Sequence, residues 1–155
     1  MTEIPGIGVT AVQIIIAEIG ADMSRFPTAG HLLSWAGLVP RLDESAGKRR
    51  STRIKKGAPW LKPVLVQCAW AAARKKSSYF QAQFLRLKAR HGVKKAAVAV
   101  AASILTTVYH MLGDGTCYHD LGPQHFARRD PDKAAARLAN RIRNLGYHVE
   151  IRPAA

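Results

Sequence analysis

The segment from residue 94 to residue 112 constrains the fold most strongly, because its apolar residues recur at the spacing of one face of an α-helix. No Asp, Glu, Lys or Arg follows Lys95 in this segment. The face consists of Ala97, Val100, Ala101, Ile104, Leu105 and Val108. A helix of this kind is stabilised by burying its apolar face, so we predict that it is the central packing helix of the molecule.

Two more helices are predicted directly before this one. The first follows Ala58-Pro59, and Pro63 fits within it if this proline lies in the first turn. Ser77 or Ser78 can cap the second helix, which closes at His91-Gly92. The apolar face of the first helix comprises Leu61, Val64, Leu65, Cys68, Ala69 and Ala72, and that of the second comprises Phe80, Phe84 and Leu87.

The N-terminal residues 4–20 read as a glycine turn that opens a helix, which Gly20 closes. Gly6 and Gly8 allow a tight turn and leave backbone amides free. This arrangement resembles the hairpin and second helix of a helix-hairpin-helix element, whose amides at a helix N-terminus accept a DNA phosphate. A plain turn before a core helix fits the same residues, and both interpretations stay open.

The C-terminal residues predict one further helix and a tail. Residues 113–115, Gly-Asp-Gly, break the helical pattern, and Asp130 with Pro131 starts a final amphipathic helix that stops at Gly146. Apolar and polar residues alternate over 147–151, as in a short strand or an extended tail. The fold class is therefore mainly α. We expect two parts, a domain over 1–112 and a linker, helix and tail over 113–155. The domain comprises the helix-hairpin-helix-like segment at 4–20, a short helix at 28–36, a basic loop at 37–57 and helices at about 59–112.

Positive charge is concentrated in the middle of the chain. The net charge is +14, and residues 41–100 carry sixteen cations against two acids, which gives +14 for this stretch alone. Residues 1–40 contribute one cation against three acids, and residues 101–155 contribute seven against five. A chain this basic favours polyanions such as nucleic acids, and the distribution predicts one main binding region.

The basic loop at 37–57 is the predicted binding region. Six cations lie within the eleven residues that follow Ser45, namely Lys48, Arg49, Arg50, Arg53, Lys55 and Lys56. Cations stabilise charge on phosphoryl oxygens, and a serine can attack a phosphodiester to form a phosphoserine and a free 3′ hydroxyl. A serine beside glycine is also an ordinary turn residue, so from the residues alone Ser45 has two interpretations.

Other chemistries have little support in the sequence. The acids are scattered, and the pair Asp43-Glu44 lies in the loop, so a two-metal nuclease site is not expected. Cys117, His119 and His125 lack a fourth ligand at zinc spacing. We therefore expect neither a metal site nor a cofactor in this chain.

A cytoplasmic location is expected. The N-terminus lacks the basic start and long apolar run of a signal peptide. The longest apolar run, at 96–102, is far too short to span a bilayer, and cations in a loop do not form a membrane-binding helix face. Two cysteines without a CxxC pair argue against a disulfide framework. No membrane partner is expected.

Several motifs in unbroken order over residues 4–112 resemble one protein family. They are Ile-Pro-Gly-Ile-Gly at 4–8, Ala-Glu-Ile-Gly at 17–20, Arg-Phe-Pro at 25–27, Trp-Ala-Gly-Leu-Val-Pro at 35–40, Ser-Ala-Gly-Lys at 45–48, Ile-Lys-Lys-Gly at 54–57 and Ala-Trp-Ala-Ala at 69–72. Together they resemble the C-terminal domain of the IS-one-ten family of insertion-sequence transposases, relatives of the Piv pilin-gene invertase.

The resemblance implies a DNA recombinase that moves a mobile element through a circular intermediate, guided in some members by a bridge RNA. In that family the C-terminal domain supplies a serine nucleophile, for which Ser45 is the matching position and Ser51 the weaker alternative. An N-terminal RuvC-like domain supplies four acids that bind magnesium. The full-length protein is expected to form a homo-oligomer.

The sequence departs from the family pattern in two respects. Ala46 replaces the glycine that usually follows the serine, which stiffens the turn. The acidic domain is absent, so we expect a C-terminal piece that binds nucleic acid better alone than it cuts it. The alternative hypothesis is a non-catalytic DNA- or RNA-binding remnant of a truncated transposase.

Overall fold

Helices dominate the computed structural model of the chain, which describes residues 1–40, 43–45, 47–51 and 53–152, with the backbone alone for 43–45 and 48–50. The elements in the described residues are α1 (Val9–Ile19), a 3₁₀ turn (Met23–Arg25), α2 (Ala29–Trp35), β1 (Asp43–Ser45), β2 (Lys48–Ser51), α3 (Leu61–Arg74), α4 (Tyr79–His91), α5 (Val93–Gly113), α6 (His125–Arg128) and α7 (Pro131–Arg143). The predicted mainly α fold class is confirmed.

Helix α5 is the central packing helix, as predicted. It contacts α2, α3, α4 and the 3₁₀ turn, and every residue of its predicted apolar face is buried. The helix has 21 residues and is long and apolar enough to cross a membrane by length and composition alone. The run at 96–102 is thus only part of an apolar helix that is long enough to span a bilayer, so excluding a bilayer span on the short length of that run is wrong. In this structure the helix packs against α2, α3 and α4.

Helices α3 and α4 begin where their sequences favour a helix start. Pro63 lies in the first turn of α3, where its missing amide removes no helical hydrogen bond. Ser78 is the residue that caps α4, since its Oγ accepts a hydrogen bond from the Gln81 amide at 3.2 Å. Ser77 instead takes a left-handed φ of 58°. Phe80 and Phe84 then face the core.

The N-terminal turn packs against α3. Gly6 has a φ of +85°, and a Cβ placed on it would lie 2.6 Å from the Ala72 amide nitrogen of α3. Ile4 and Ile7 on either side of it are buried. Gly6 thus has a structural role in close packing, whereas Gly8 is exposed and starts α1 without a side-chain cap.

The C-terminal helix forms as predicted, but its apolar face stays uncovered. Asp130 caps α7 by accepting a hydrogen bond from the Lys133 amide at 3.2 Å. Leu138 is 59% exposed and Leu145 is 75% exposed, so this face contributes little to the core. The residues described over 147–152 include no strand, so the strand alternative is wrong for this tail.

Candidate nucleic-acid interface

The basic segment forms a β-hairpin, where the sequence predicted a loop. Strands β1 and β2 pair antiparallel, with Ser45 opposite Lys48, Glu44 opposite Arg49 and Asp43 opposite Ser51. Gly47, in the turn between the strands, has a φ of +71°. Ser45 is therefore the last residue of β1 and lies at the tip of the hairpin, next to the first cation of β2.

Two glycines fix the base of this hairpin. Gly37 and Gly57 have φ values of +71° and +82°. A Cβ on Gly37 would lie 2.7 Å from the Gly57 Cα, and a Cβ on Gly57 would lie 2.6 Å from the Gly37 Cα. Real Cβ atoms do not approach so closely, so the chain can cross itself here only with glycine at both positions. A bridge between Pro40 and Ile54 continues the pairing towards the strands.

Lys62 holds the C-terminal side of the hairpin to α3. Its Nζ donates a 2.7 Å hydrogen bond to the Lys55 carbonyl oxygen. Partial burial lowers the pKa of this ammonium group below its ordinary value. A lysine placed against a backbone carbonyl in the first turn of a helix serves to position the chain, and it is less available to a ligand than its exposed neighbours.

We expect Lys62→Met to loosen the segment after β2. Loss of this hydrogen bond costs about 1 kcal/mol, which corresponds to roughly fivefold faster amide exchange over 54–57. Hydrogen exchange followed by mass spectrometry measures the change. Lys56→Met is the control, because Lys56 is exposed. Equal exchange rates in both variants would contradict a positioning role for Lys62.

One of the exposed cations beyond β2 lines a groove. Arg53, Lys55 and Lys56 are exposed, and Arg53 lines a groove of about 770 Å³ at the base of the hairpin. The floor of the groove is apolar, and its other charged or titratable lining residues are His91, Lys94 and Lys95, which lie at the junction of α4 and α5. The fold thus brings the start of α5 beside the hairpin, and both contribute positive charge.

The hairpin lies within a segment that matches a known protein family. A family model described as Transposase IS116/IS110/IS902 family matches residues 1–85, which include α1, α2, the hairpin and α3. The chain belongs to this transposase family. The similarity extends to an uncharacterized 43.6 kDa protein of insertion element IS110 from Streptomyces coelicolor, with 31% identity over 130 residues. No solved structure matches the chain.

The chain corresponds to a minor part of this relative. The aligned region covers 79% of the present transposase chain but 30% of the Streptomyces protein. The family that the sequence motifs indicated is therefore confirmed. The match covers too little of the relative to assign the activity of a whole transposase to this chain.

The two candidate serines differ in their surroundings. Ser51 Oγ accepts a hydrogen bond from the Arg53 amide at 3.1 Å, so this hydroxyl stabilises the turn that follows β2. For Ser45 the description is limited to the backbone, which places it at the hairpin tip opposite Lys48. Ala46 lies outside the described residues, and the side chains of Lys48, Arg49 and Arg50 are likewise not described.

Within the described ranges, no three His, Cys, Asp or Glu residues lie close enough to hold a metal ion. Cys68 is buried in the core, and this burial raises the pKa of its thiol. Cys117 is exposed and belongs to the segment after α5.

The sequence did not reveal that His91, Lys94 and Lys95 line a groove together with Arg53 of the basic segment. These residues were counted in the basic stretch 41–100, but they were assigned to helix ends. They lie far from the hairpin along the chain, so the sequence did not show that they lie near it in space. Gly6 has a packing role that the sequence did not reveal, because a Cβ on it would clash with α3. Its contact with a DNA phosphate stays a prediction.

Proposed function

We propose that this chain is the part of an insertion-sequence transposase that binds DNA through its basic hairpin and supplies Ser45 as the nucleophile for strand cleavage and rejoining. The observation that carries the proposal is the register of the hairpin. It puts Ser45 at the tip of a cation-rich hairpin, opposite Lys48, in the segment that the family model matches.

The proposed reaction is a transesterification. The Ser45 hydroxyl gives up its proton as its Oγ bonds to phosphorus, and the bond from phosphorus to the 3′ oxygen breaks. This leaves a phosphoserine on the 5′ side, and the 3′ oxygen takes up a proton to become a hydroxyl. Cations of β2 and of residues 53–56 stabilise the negative charge on the non-bridging oxygens. Because the phosphoester bond is retained on the serine, attack by a 3′ hydroxyl can rejoin strands without an energy source.

Other groups needed for cleavage are proposed to come from a second domain. The family resemblance assigns magnesium to a RuvC-like acidic domain, and no step here is derived from that ion. DNA is the proposed partner, a guide RNA is a further partner in some members of the family, and the complete protein is proposed to be a cytoplasmic homo-oligomer. Gly8 and the uncapped start of α1 offer a second phosphate contact in this proposal.

The DNA-binding part of the proposal is tested by salt-dependent binding. Arg49, Arg50 and Arg53 are replaced together with glutamine, and fluorescence anisotropy gives the dissociation constant for duplex DNA at several salt concentrations. If each arginine contacts one phosphate, the slope of log affinity against log salt becomes less steep by about 2.7. Arg74, Lys75 and Lys76, exposed cations at the end of α3, provide a control triple variant with the same charge loss. An equal change in slope for both triple variants would show that the hairpin is not the binding site.

A non-catalytic nucleic-acid-binding module is the second candidate. It is favoured by the exposed cations at the base of the hairpin, which suffice for binding without a nucleophile. In that case Ser45→Ala would leave both binding and its salt slope unchanged, and no covalent adduct would form under any condition.

A further inference from the structure

A second basic groove lies between α4 and the C-terminal helices α6 and α7. Its volume is about 590 Å³. The charged residues that line it are Arg86, Arg90, Arg129, Lys133, Arg137 and Asp130. Five cations and one acid thus face a shared space. The family model ends at residue 85, so this groove lies almost wholly outside the matched segment.

The acid of this groove pairs with only one of its five cations. The Asp130 carboxylate caps α7 through the Lys133 amide, and its other oxygen lies 3.7 Å from Lys133 Nζ. Across the part of the chain that the structure describes, no salt bridge to a carboxylate involves Arg86, Arg90, Arg129 or Arg137. Like charges facing one space repel each other, and binding of an anion relieves this repulsion.

Aromatic stacking holds the groove in shape. The Arg86 guanidinium lies 4.2 Å from the centre of the Phe126 ring, and Phe126 stacks on Tyr79 with 5.1 Å between ring centres. The Asp120 carboxylate accepts hydrogen bonds from the amides of Tyr79 and Gly122, which ties the segment before α6 to the start of α4. A groove held in shape in this way binds a ligand with a smaller ordering cost.

The two basic grooves are lined by consecutive residues at the C-terminal end of α4. Arg90 lines the groove of α4, α6 and α7, whereas the next residue, His91, lines the groove at the base of the hairpin. The α4 residues that line the two grooves extend from Ala82 to His91, a length of about 14 Å at about 1.5 Å for each helical residue. One DNA strand carries a phosphate every ~3.4 Å of helix axis, so this length corresponds to about four phosphates.

We propose that the groove between α4, α6 and α7 binds the phosphodiester backbone of a nucleic acid and continues the contact made at the hairpin. The choice of nucleic acid as the polyanion rests on the proposed function, whereas the presence of an anion site rests on the groove itself. The C-terminal residues 125–137 thereby gain a binding role that the family match does not include.

The test is a triple variant with Arg129, Lys133 and Arg137 replaced by glutamine, all of which are exposed. For duplex DNA, three lost phosphate contacts reduce the salt slope by about 2.7, so the rise in dissociation constant between 50 and 200 mM salt becomes roughly 40-fold smaller. The variant Arg74→Gln, Lys75→Gln, Lys76→Gln controls for net charge and is expected to keep the wild-type slope. Circular dichroism confirms that each variant is folded.

The outcomes separate this inference from the proposed function. If the groove triple variant and the charge control have the same slope, the groove is not a binding site. If the groove variant loses slope but the hairpin variant Arg49→Gln, Arg50→Gln, Arg53→Gln does not, the groove site stands and the hairpin site fails. Duplex DNA, single-stranded DNA and RNA of equal length are compared in parallel. The groove binds the type of nucleic acid for which the salt slope of the groove variant decreases most. If the slope decreases for none of the three, the proposal is overturned.

Discussion

Replacement of Ser45 by alanine is expected to abolish covalent attachment of the protein to DNA. Without the hydroxyl no phosphoserine can form, and loss of a nucleophilic serine elsewhere reduces the rate on the order of 10⁶-fold. Binding itself should persist in Ser45→Ala, because the cations of the hairpin are retained. Loss of the adduct with retained binding is the specific result expected of a nucleophile.

The measurement is a denaturing gel that resolves protein linked to labelled DNA, with the proposed acidic domain and magnesium supplied. Ser51→Ala is the matched control, since Ser51 lies in the same hairpin and its hydroxyl has a local role in accepting the Arg53 amide. It should form the adduct at close to the wild-type level. An adduct of equal yield from Ser45→Ala and Ser51→Ala would refute the assignment of Ser45.

The variant Gly37→Ala is expected to have the largest effect on stability. A left-handed backbone costs an alanine about 1–2 kcal/mol, and the clash of its Cβ with Gly57 adds about 1–3 kcal/mol. For a chain of this length, a loss of about 3 kcal/mol lowers the melting temperature by roughly 6–12 °C. Thermal unfolding followed by circular dichroism measures the change.

Gly47→Ala separates the two causes of this destabilisation. Gly47 has the same φ of +71° as Gly37, but nothing lies within 4 Å of a Cβ placed on it. This variant should therefore lose only the backbone component, about 1–2 kcal/mol. Equal destabilisation at the two positions would mean that the chain relieves the clash at the base of the hairpin by moving apart.

The helical part of the fold could be predicted because each helix depends on residues that are close together in the sequence. The face of α5, the position of Pro63 in the first turn of α3 and the capping of α7 by Asp130 each depend on residues within a few positions of one another. Side chains that recur every three to four residues must share one side of a helix. These predictions therefore needed no knowledge of tertiary structure.

The hairpin could not be predicted in the same way. Its strands read Asp-Glu-Ser and Lys-Arg-Arg-Ser, which have neither alternating apolar residues nor high strand propensity. The hairpin is held in place by two contacts at its base, one between Gly37 and Gly57 and one between Lys62 and Lys55. Such contacts are visible in a sequence only as isolated glycines and lysines.

The cationic residues of the interface were visible in the sequence, but their arrangement was not. Charge counting identified the stretch 41–100, and it correctly separated this stretch from the acidic N-terminal part. The proximity of Lys94 and Lys95 to Arg53 depends on how α5 packs against the rest of the molecule. The same holds for Arg137 and Arg86, which are brought together only when α7 lies beside α4.

The contact between Gly37 and Gly57 also makes the length of the hairpin independent of the helical body. Nothing lies within 4 Å of a Cβ placed on Gly47 at the tip, so residues inserted there would extend the tip without displacing α2 or α3. Closing a longer loop costs little, about 0.6 kcal/mol for each doubling of its length. Residues added or removed at the tip would therefore change how far the hairpin projects, while the contact between the two glycines and the helices next to them stay the same.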